Sequence, residues 1–107
     1  MAFGPISGGA YDQTVTATAA GIGSDNIPNG AASAEGYVRT AAVVEYRDGT
    51  TPTASKGRQW NATDTIILRS PSEMDGFSAI RQSGSNATIN WEFYNSPQKN
   101  SPPGLGV

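Results

Sequence analysis

The feature that most restricts the fold of this chain is the alternation of apolar and polar residues in short segments. In residues 87–95, Ile89, Trp91 and Phe93 occupy every second position, and polar or amphipathic residues lie between them. Residues 11–20 repeat the alternation with smaller side chains. A period of two is typical of a strand that buries one face, and no segment shows the period of an amphipathic helix. The pattern therefore predicts strands.

Turn-forming residues separate further strand segments at short spacing. Residues 37–47 are rich in β-branched and aromatic residues and predict one long strand, or two strands with a bulge near Thr40 and Ala41. Residues 65–69 predict a short buried strand, and residues 83–86 predict a hairpin-type loop. We predict an all-β fold, an antiparallel β-sandwich of about six to eight short strands with extended N- and C-terminal arms; a small barrel is the alternative.

One short segment carries the signals of a helix start. Ser70 is a capping residue, Pro71 suits the first helical position, and Glu73 follows Ser70 by three residues. The segment between the predicted strands is short, so we predict a turn or at most one helical turn there.

The length and the composition of the two ends define the domain organisation. The chain of 107 residues has the length of one domain. We predict an N-terminal arm over residues 1–10, a β-sandwich domain over residues 11–95 and an extended C-terminal tail over residues 96–107. Segments rich in Gly and Pro are extended or disordered unless something holds them. We expect a neighbouring subunit to hold both ends; the alternative is that they pack along their own sandwich. The predicted interface residues are Phe3, Ile6, Tyr11, Trp60, Pro102, Pro103 and Leu105.

The side-chain inventory excludes several kinds of active site. The chain has no Cys and no His, which removes thiol nucleophiles, imidazole acid–base catalysis and the usual zinc sites. The nine carboxylates show no paired arrangement, and no Gly-x-Ser-x-Gly motif is present. Residues 24–30 and 48–53 offer oxygen ligands without the spacing of a calcium loop, so backbone turns explain them better. We expect no enzymatic activity, no catalytic residue, no metal site and no cofactor.

Charge and hydropathy narrow the range of partners. The net charge is −2, and a nucleic-acid interface needs several basic residues acting together. The arginines are instead spread singly along the chain, at Arg39, Arg47, Arg58, Arg69 and Arg81. No apolar run approaches the ~18 residues of a membrane span, and the N-terminus lacks the basic and apolar regions of a signal peptide. We expect neither nucleic acid nor membrane as a partner.

The segment VEYRDGTTPTASKG, residues 44–57, combines several turn signals. Asp48 and Gly49 form a strong turn pair, because glycine tolerates the backbone conformation that tight turns require. Pro52 removes a backbone donor, so this stretch is not a central strand, and Gly57 permits a second change of direction. We interpret the segment as a wide crossing from one sheet to the other rather than as a binding loop.

This corner resembles the one found in small Ig-like β-sandwich modules, including those appended to chitobiases and other glycoside hydrolases. Over about residues 37–94 the chain resembles small β-sandwich proteins of tailed bacteriophage virions. The resemblance covers about half of the chain and does not extend to either arm. The matching elements are Tyr46, residues 48–53, Gly57, residues 65–68, residues 83–84 and residues 90–94.

The resemblance implies a structural role without enzymatic activity. It implies a capsid decoration or cement protein on the virion surface that is made in the host cytoplasm, binds the major capsid protein and stabilises the head shell. It also implies self-association, with a homotrimer favoured. Weak contacts repeated over many subunits would give a large total stabilisation.

Two other functions remain open from the sequence. A tail or fibre component of the virion would share the same fold and the same lack of reactive groups. A carbohydrate-binding or host-adhesion module would bind surface glycans through an exposed aromatic residue, for which Trp60 in its polar surroundings is the candidate. For Trp60 itself we favour a place in the core or at a subunit interface.

Overall fold

Strands form where the sequence alternates or is rich in β-branched residues. The structure is a computed structural model that describes the backbone of residues 5–95 and the side chains of residues 9–95. A short helix in this part of the chain, α1, spans Pro71–Gly76. The strands are β1 (Pro5–Val15), β2 (Ser33–Arg39), β3 (Val43–Tyr46), β4 (Arg58–Trp60), β5 (Thr65–Leu68), β6 (Ser78–Arg81) and β7 (Ala87–Tyr94).

The strands form two antiparallel sheets. The four-stranded sheet has the order β1-β7-β2-β5, and the three-stranded sheet has the order β4-β3-β6. Strand β7 pairs with β1 on one side and with β2 on the other, and β3 pairs with β4 and β6. The predicted all-β, antiparallel sandwich fold is therefore confirmed.

The core lies between the inner faces of the two sheets. Every second residue of β7 is buried, which places Ile89, Trp91 and Phe93 inside, as the alternation predicts. The Trp91 ring meets Phe77 edge to face, with ring centroids 5.0 Å apart and an interplanar angle of 84°. Its Nε1 donates to Oε1 of the buried Gln13 at 2.9 Å. The largest ring of the core is thus held by both packing and a hydrogen bond.

The position of the Trp91 ring depends on Gly36, which pairs with Trp91 across β2 and β7. A Cβ atom at Gly36 would lie 2.6 Å from Cζ3 of Trp91 and 2.6 Å from Cγ2 of Ile89. Close-packed interiors do not tolerate such distances. The indole ring therefore fills the space that a side chain at residue 36 would occupy.

The interpretation of residues 44–57 as a crossing between sheets is wrong. Strands β3 and β4, which this segment joins, are antiparallel neighbours in the same three-stranded sheet. Between them the chain makes an excursion with its own tight turn, in which the N–H of Thr53 donates to the carbonyl of Lys56 at 3.0 Å. The predicted turns are present, but turn residues carry no information about which sheet the next strand joins.

Two connections that the sequence assigned to single sheets are in fact crossings. Residues 37–47 belong to β2 and β3, which lie in different sheets, so the break at Thr40 is not a bulge within one sheet. Residues 83–86 connect β6 to β7, which also lie in different sheets, so they do not form a hairpin loop.

Strand β1 begins earlier than the alternation in the sequence indicates. It starts at Pro5, and its pairing with β7 is continuous from Ala10 to Val15. An irregularity in register lies between Pro5 and Ala10. The predicted boundary between arm and domain, at residue 10, therefore falls inside β1.

Helix α1 begins as its capping signals predict, but its six residues exceed the single helical turn that the sequence predicts. The Ser70 hydroxyl accepts a hydrogen bond from the N–H of Glu73 at 3.4 Å, and Pro71 is the first helical residue. The Glu73 carboxylate in turn accepts from the N–H of Arg69 at 2.7 Å, which satisfies a further backbone donor at the helix start.

We expect the substitution Thr63→Gly to stabilise the protein by about 0.5–1 kcal/mol. Thr63 is exposed and has a φ of 79°. The left-handed backbone conformation costs a residue with a Cβ about 1–2 kcal/mol, and glycine avoids this cost. About half of the gain is lost again, because glycine makes the unfolded chain more flexible. The N–H of residue 63 donates to the carbonyl of Val38 at 2.8 Å, a bond that glycine retains.

Urea unfolding measures this gain. The matched control is Thr65→Gly, at an exposed position in β5, which should instead lose about 0.5–1 kcal/mol. Equal losses in the two variants would show that the backbone at Thr63 is not strained.

Candidate functional site

Strand β3 carries a buried carboxylate, Glu45, on the same face as the core residue Val43. The Glu45 side chain is 1% exposed. Its Oε2 accepts from NH2 of Arg47 at 2.6 Å and from Nε1 of Trp60 at 3.0 Å. Two donors, one of them charged, compensate part of the cost of burying this carboxylate.

Arg47 connects this carboxylate to the other sheet. Its NH1 donates to the carbonyl of Ile67 in β5 at 2.7 Å and lies 3.5 Å from Oε1 of Glu73 in α1. The Glu45–Arg47 network therefore links β3 and β4 to an edge of the four-stranded sheet and to the helix. Because Glu45 is enclosed, this arrangement ties elements together and does not present a carboxylate to a substrate.

Trp60 lies in this network and not on an open surface. It is half-buried, packs against the core and donates its indole N–H to Glu45. The hydrogen bond orients the ring inward, so Trp60 is a poor platform for a sugar. A contact between Trp60 and a neighbouring subunit remains a prediction.

An open hollow lies beside the network, between the start of the 44–57 excursion and α1. It has a volume of about 450 Å³, and its lining includes Asp48, Glu73 and Asp75. The hydroxyl and the N–H of Thr50 donate to the Asp48 carboxylate and hold its pKa below the usual value. Within residues 5–95, no group of three or more acidic side chains is arranged to hold a metal ion.

The solvent-facing side of the four-stranded sheet, called the outer face below, carries an exposed aromatic residue. Tyr37 is 41% exposed and forms one row across the sheet with Asn90 and Asp12. The Asn90 amide donates to Oδ1 of Asp12 at 2.7 Å and accepts from Arg39 at 3.4 Å. The Arg39 guanidinium lies 5.9 Å from the centre of the Tyr37 ring. The row thus combines a ring with fixed polar groups.

The next row of the outer face is acidic. Glu35 and Glu92 lie opposite each other across β2 and β7, and the Tyr94 hydroxyl lies 3.1 Å from a carboxylate oxygen of each. Burial, together with the charges of Glu35 and Glu92, raises the pKa of the Tyr94 hydroxyl above its usual range. The hydroxyl therefore stays a donor between two carboxylates that would otherwise repel each other.

The sequence analysis does not predict the outer face as a binding surface. The alternation of Tyr37 and Tyr94 with buried residues indicates only that both side chains point away from the core. Their rows form only because β2 pairs with β7 over a long sequence separation. No local pattern identifies such a partner.

The predicted interface residues fall in different places. Tyr11 lies in β1, half-buried and packed against the core. Ile6 lies in β1, and its side chain is outside the described part of the chain. Four others lie wholly outside the described residues: Phe3, Pro102, Pro103 and Leu105. Whether these residues contact a neighbouring subunit stays a prediction.

Strand β1 forms one edge of the four-stranded sheet, with β7 as its neighbour. Just beyond its C-terminal end the chain is covered by β6, because the N–H of Arg81 donates to the carbonyl of Thr16 at 2.9 Å. Residues 5–11, on the other hand, contain no charged side chain; the first is Asp12. The side of residues 5–11 that faces away from β7 is called the open edge below.

No helix in the described part of the chain is both long and apolar enough to cross a membrane. Comparison of the chain with protein-family models, with curated proteins and with solved structures found no match.

Proposed function

We propose that this chain is a structural virion protein of the capsid decoration or cement type, which associates with itself and with the major capsid protein through its N-terminal strand. The observation that carries the proposal is the open edge of β1. Within residues 5–95, this strand of 11 residues has β7 as its one neighbour in the sheet, and residues 5–11 contain no charged side chain.

An edge strand has unpaired backbone donors and acceptors that can pair with a strand from another chain. Monomeric β-proteins usually protect such edges with charged residues, especially lysine, or with short strands. Residues 5–11 have no charged residue, and β1 is long; Pro5 and the irregularity in register before Ala10 protect only part of this edge. The edge is therefore suited to strand addition by a second subunit or by the shell protein.

Attachment through a strand edge also fits the remainder of the fold. The side chains of Glu45 and Arg47 bind each other and join the two sheets. The large apolar side chains lie in the core, and the outer face is mostly polar. Each backbone contact is weak, but the same contact repeated around a trimer and over a shell gives a large total effect.

The test compares the full chain with a chain that starts at Ala10. This shortened chain keeps the continuous pairing of residues 10–15 with β7 and lacks most of the open edge. We expect the full chain to form an oligomer, a trimer in our proposal, and to sediment with capsid shells. The shortened chain should fold, as judged by circular dichroism, but bind shells at least about tenfold more weakly, a loss of about 1.4 kcal/mol.

The substitution Tyr37→Ala in the full chain is the matched control, because it alters the outer face and leaves β1 intact. It should keep both self-association and shell binding. If the full chain is a monomer that never sediments with shells, the proposal is lost. If Tyr37→Ala abolishes shell binding and the shortened chain does not, the interface is the outer face.

A second candidate function is favoured by the row of Tyr37, Asn90 and Asp12. An exposed ring flanked by amide and carboxylate groups is suited to stacking on a sugar and to hydrogen bonding with its hydroxyls. Binding of the full chain on a glycan array, lost in Tyr37→Ala and retained in the shortened chain, would support an adhesion module instead of a decoration protein.

A further inference from the structure

The segment before β2 contains the dipeptide Asn29-Gly30 at the tip of an exposed turn. Both residues are exposed, and the turn is closed by a hydrogen bond of 3.1 Å from the N–H of Ala31 to the carbonyl of Pro28. Gly30 has a φ of 84°, which places it in the left-handed region that this turn requires. In the sequence, this segment contains oxygen ligands but lacks the spacing of a calcium loop.

The groups that could react with each other in this turn are free. Among the residues that the structure describes, no hydrogen bond engages the Asn29 side chain or the N–H of Gly30. Apart from the chain neighbours of Gly30, no described atom lies within 4 Å of the position that a Cβ of Gly30 would occupy. Packing around the turn therefore does not hinder a rearrangement of its backbone.

We propose that Asn29 is a site of spontaneous deamidation. The Gly30 nitrogen loses its proton to base and attacks Cγ of Asn29; a new C–N bond closes a five-membered succinimide. The bond from Cγ to the side-chain nitrogen breaks, and the nitrogen leaves as ammonia. Water then adds to one of the two ring carbonyls and opens the ring, giving aspartate or isoaspartate. The net reaction consumes one water and releases one ammonia, without oxidant or reductant.

Ring closure needs a rotation of the backbone at Asn29 and Gly30, which an opening of the turn supplies. Exposed turns with few contacts open locally at a small fraction of the cost of global unfolding. Here the tip of the turn is held by one backbone hydrogen bond. Glycine at the following position allows the rotated backbone that ring closure needs, because it has no Cβ.

Residues 5–95 contain five other asparagines, and each is followed by a residue with a side chain. The side chains of four of them make a hydrogen bond, while the exposed Asn95 is followed by Ser96. The bonds are Asn26 to the carbonyl of Ile22, Gln59 to Asn61, Arg81 to Asn86, and Asn90 to Asp12. Asn29 thus differs from these four asparagines in two ways: the next residue is a glycine, and its side chain makes no hydrogen bond in the described part of the chain.

The products would change the surface at this site. Asn29 lies on a hollow of about 420 Å³ that also includes Asp75 and the side chains of Ile27 and Met74. A carboxylate at residue 29 adds a negative charge on the same hollow as Asp75. Isoaspartate additionally lengthens the backbone close to Ala32, whose N–H ties this segment to the carbonyl of Tyr94 at 2.8 Å.

The experiment is incubation of the full chain at neutral pH and physiological temperature, followed by peptide mapping with mass spectrometry that separates aspartate from isoaspartate. We expect Asn29 to convert at least about tenfold faster than Asn61 or Asn86 in the same sample, equivalent to about 1.4 kcal/mol in activation free energy. An isoaspartate methyltransferase should methylate the peptide that contains residue 29.

Two variants test the chemistry. Gly30→Ala keeps Asn29 and meets no neighbouring atom, but its Cβ strains the turn at a φ of 84°. It should slow the conversion, because a side chain after Asn29 hinders ring closure. Asn29→Gln should abolish the conversion, since ring closure would then need a larger ring. If Asn29 remains an amide as long as Asn61 and Asn86 do, the proposal is overturned. Conversion at an unchanged rate in Gly30→Ala would also overturn it, because the glycine would then have no part in the reaction.

Discussion

Replacement of Arg47 by alanine is expected to lower the free energy of unfolding by about 3–5 kcal/mol, because it leaves the carboxylate of Glu45 buried without its charged partner. The Glu45 side chain is 1% exposed, and Arg47 is its charged donor. The same substitution removes the 2.7 Å bond to the carbonyl of Ile67 that joins the two sheets. For a domain whose total stability is about 5–15 kcal/mol, this is a large fraction. Urea unfolding followed by tryptophan fluorescence measures it.

The matched control is Arg69→Ala, an exposed arginine that the same unfolding experiment should show within about 0.5 kcal/mol of the parent. A double variant, Glu45→Met with Arg47→Met, should recover much of the loss, because it removes both charges and keeps the volume. Recovery should be partial, since Trp60 also loses its acceptor. If Arg47→Ala cost no more than Arg69→Ala, the network would not hold the sheets together.

The second large effect is expected at the centre of the core, where Trp91→Ala should cost about 3–5 kcal/mol. The substitution removes the contact with Phe77 and leaves Gln13 Oε1 without its donor. It also empties part of the space over Gly36, although Cγ2 of Ile89 would still lie 2.6 Å from a Cβ there.

A double-mutant cycle with Gly36→Ala tests this packing. In the parent, Gly36→Ala should cost about 1–3 kcal/mol, because its Cβ would overlap the indole ring. In the Trp91→Ala background the same substitution should cost less, because only the overlap with Cγ2 of Ile89 remains, so the two sites should couple by about 0.5–2 kcal/mol. Additive losses would mean that Trp91 does not occupy the space over Gly36.

Local signals predicted the elements well. The alternation in residues 87–94 identified β7 and its buried face, and the capping pattern at Ser70 identified the start of α1. Both depend on side chains within a few residues of each other, so their energetics are visible in the sequence.

Contacts that depend on which strands pair in a sheet could not be predicted from the sequence. Glu45 lies in the middle of a predicted strand, and nothing nearby in sequence shows that Trp60 and Ile67 would supply its surroundings. The pairing of Tyr37 with Asn90 joins strands far apart in the chain, and it alone creates the outer face. The polar neighbours of Trp60 in the sequence do not show that Glu45 accepts its indole N–H and that the ring packs against the core.

The segment 44–57 shows which features the sequence determines and which the tertiary structure determines. The sequence determined that the chain turns there, because Asp48, Gly49 and Pro52 restrict their own backbones. Only the tertiary structure decided that β4 returns to pair with β3 instead of joining the other sheet. Strand pairing is set by the burial of faces that many distant residues share, and no turn sequence contains that information.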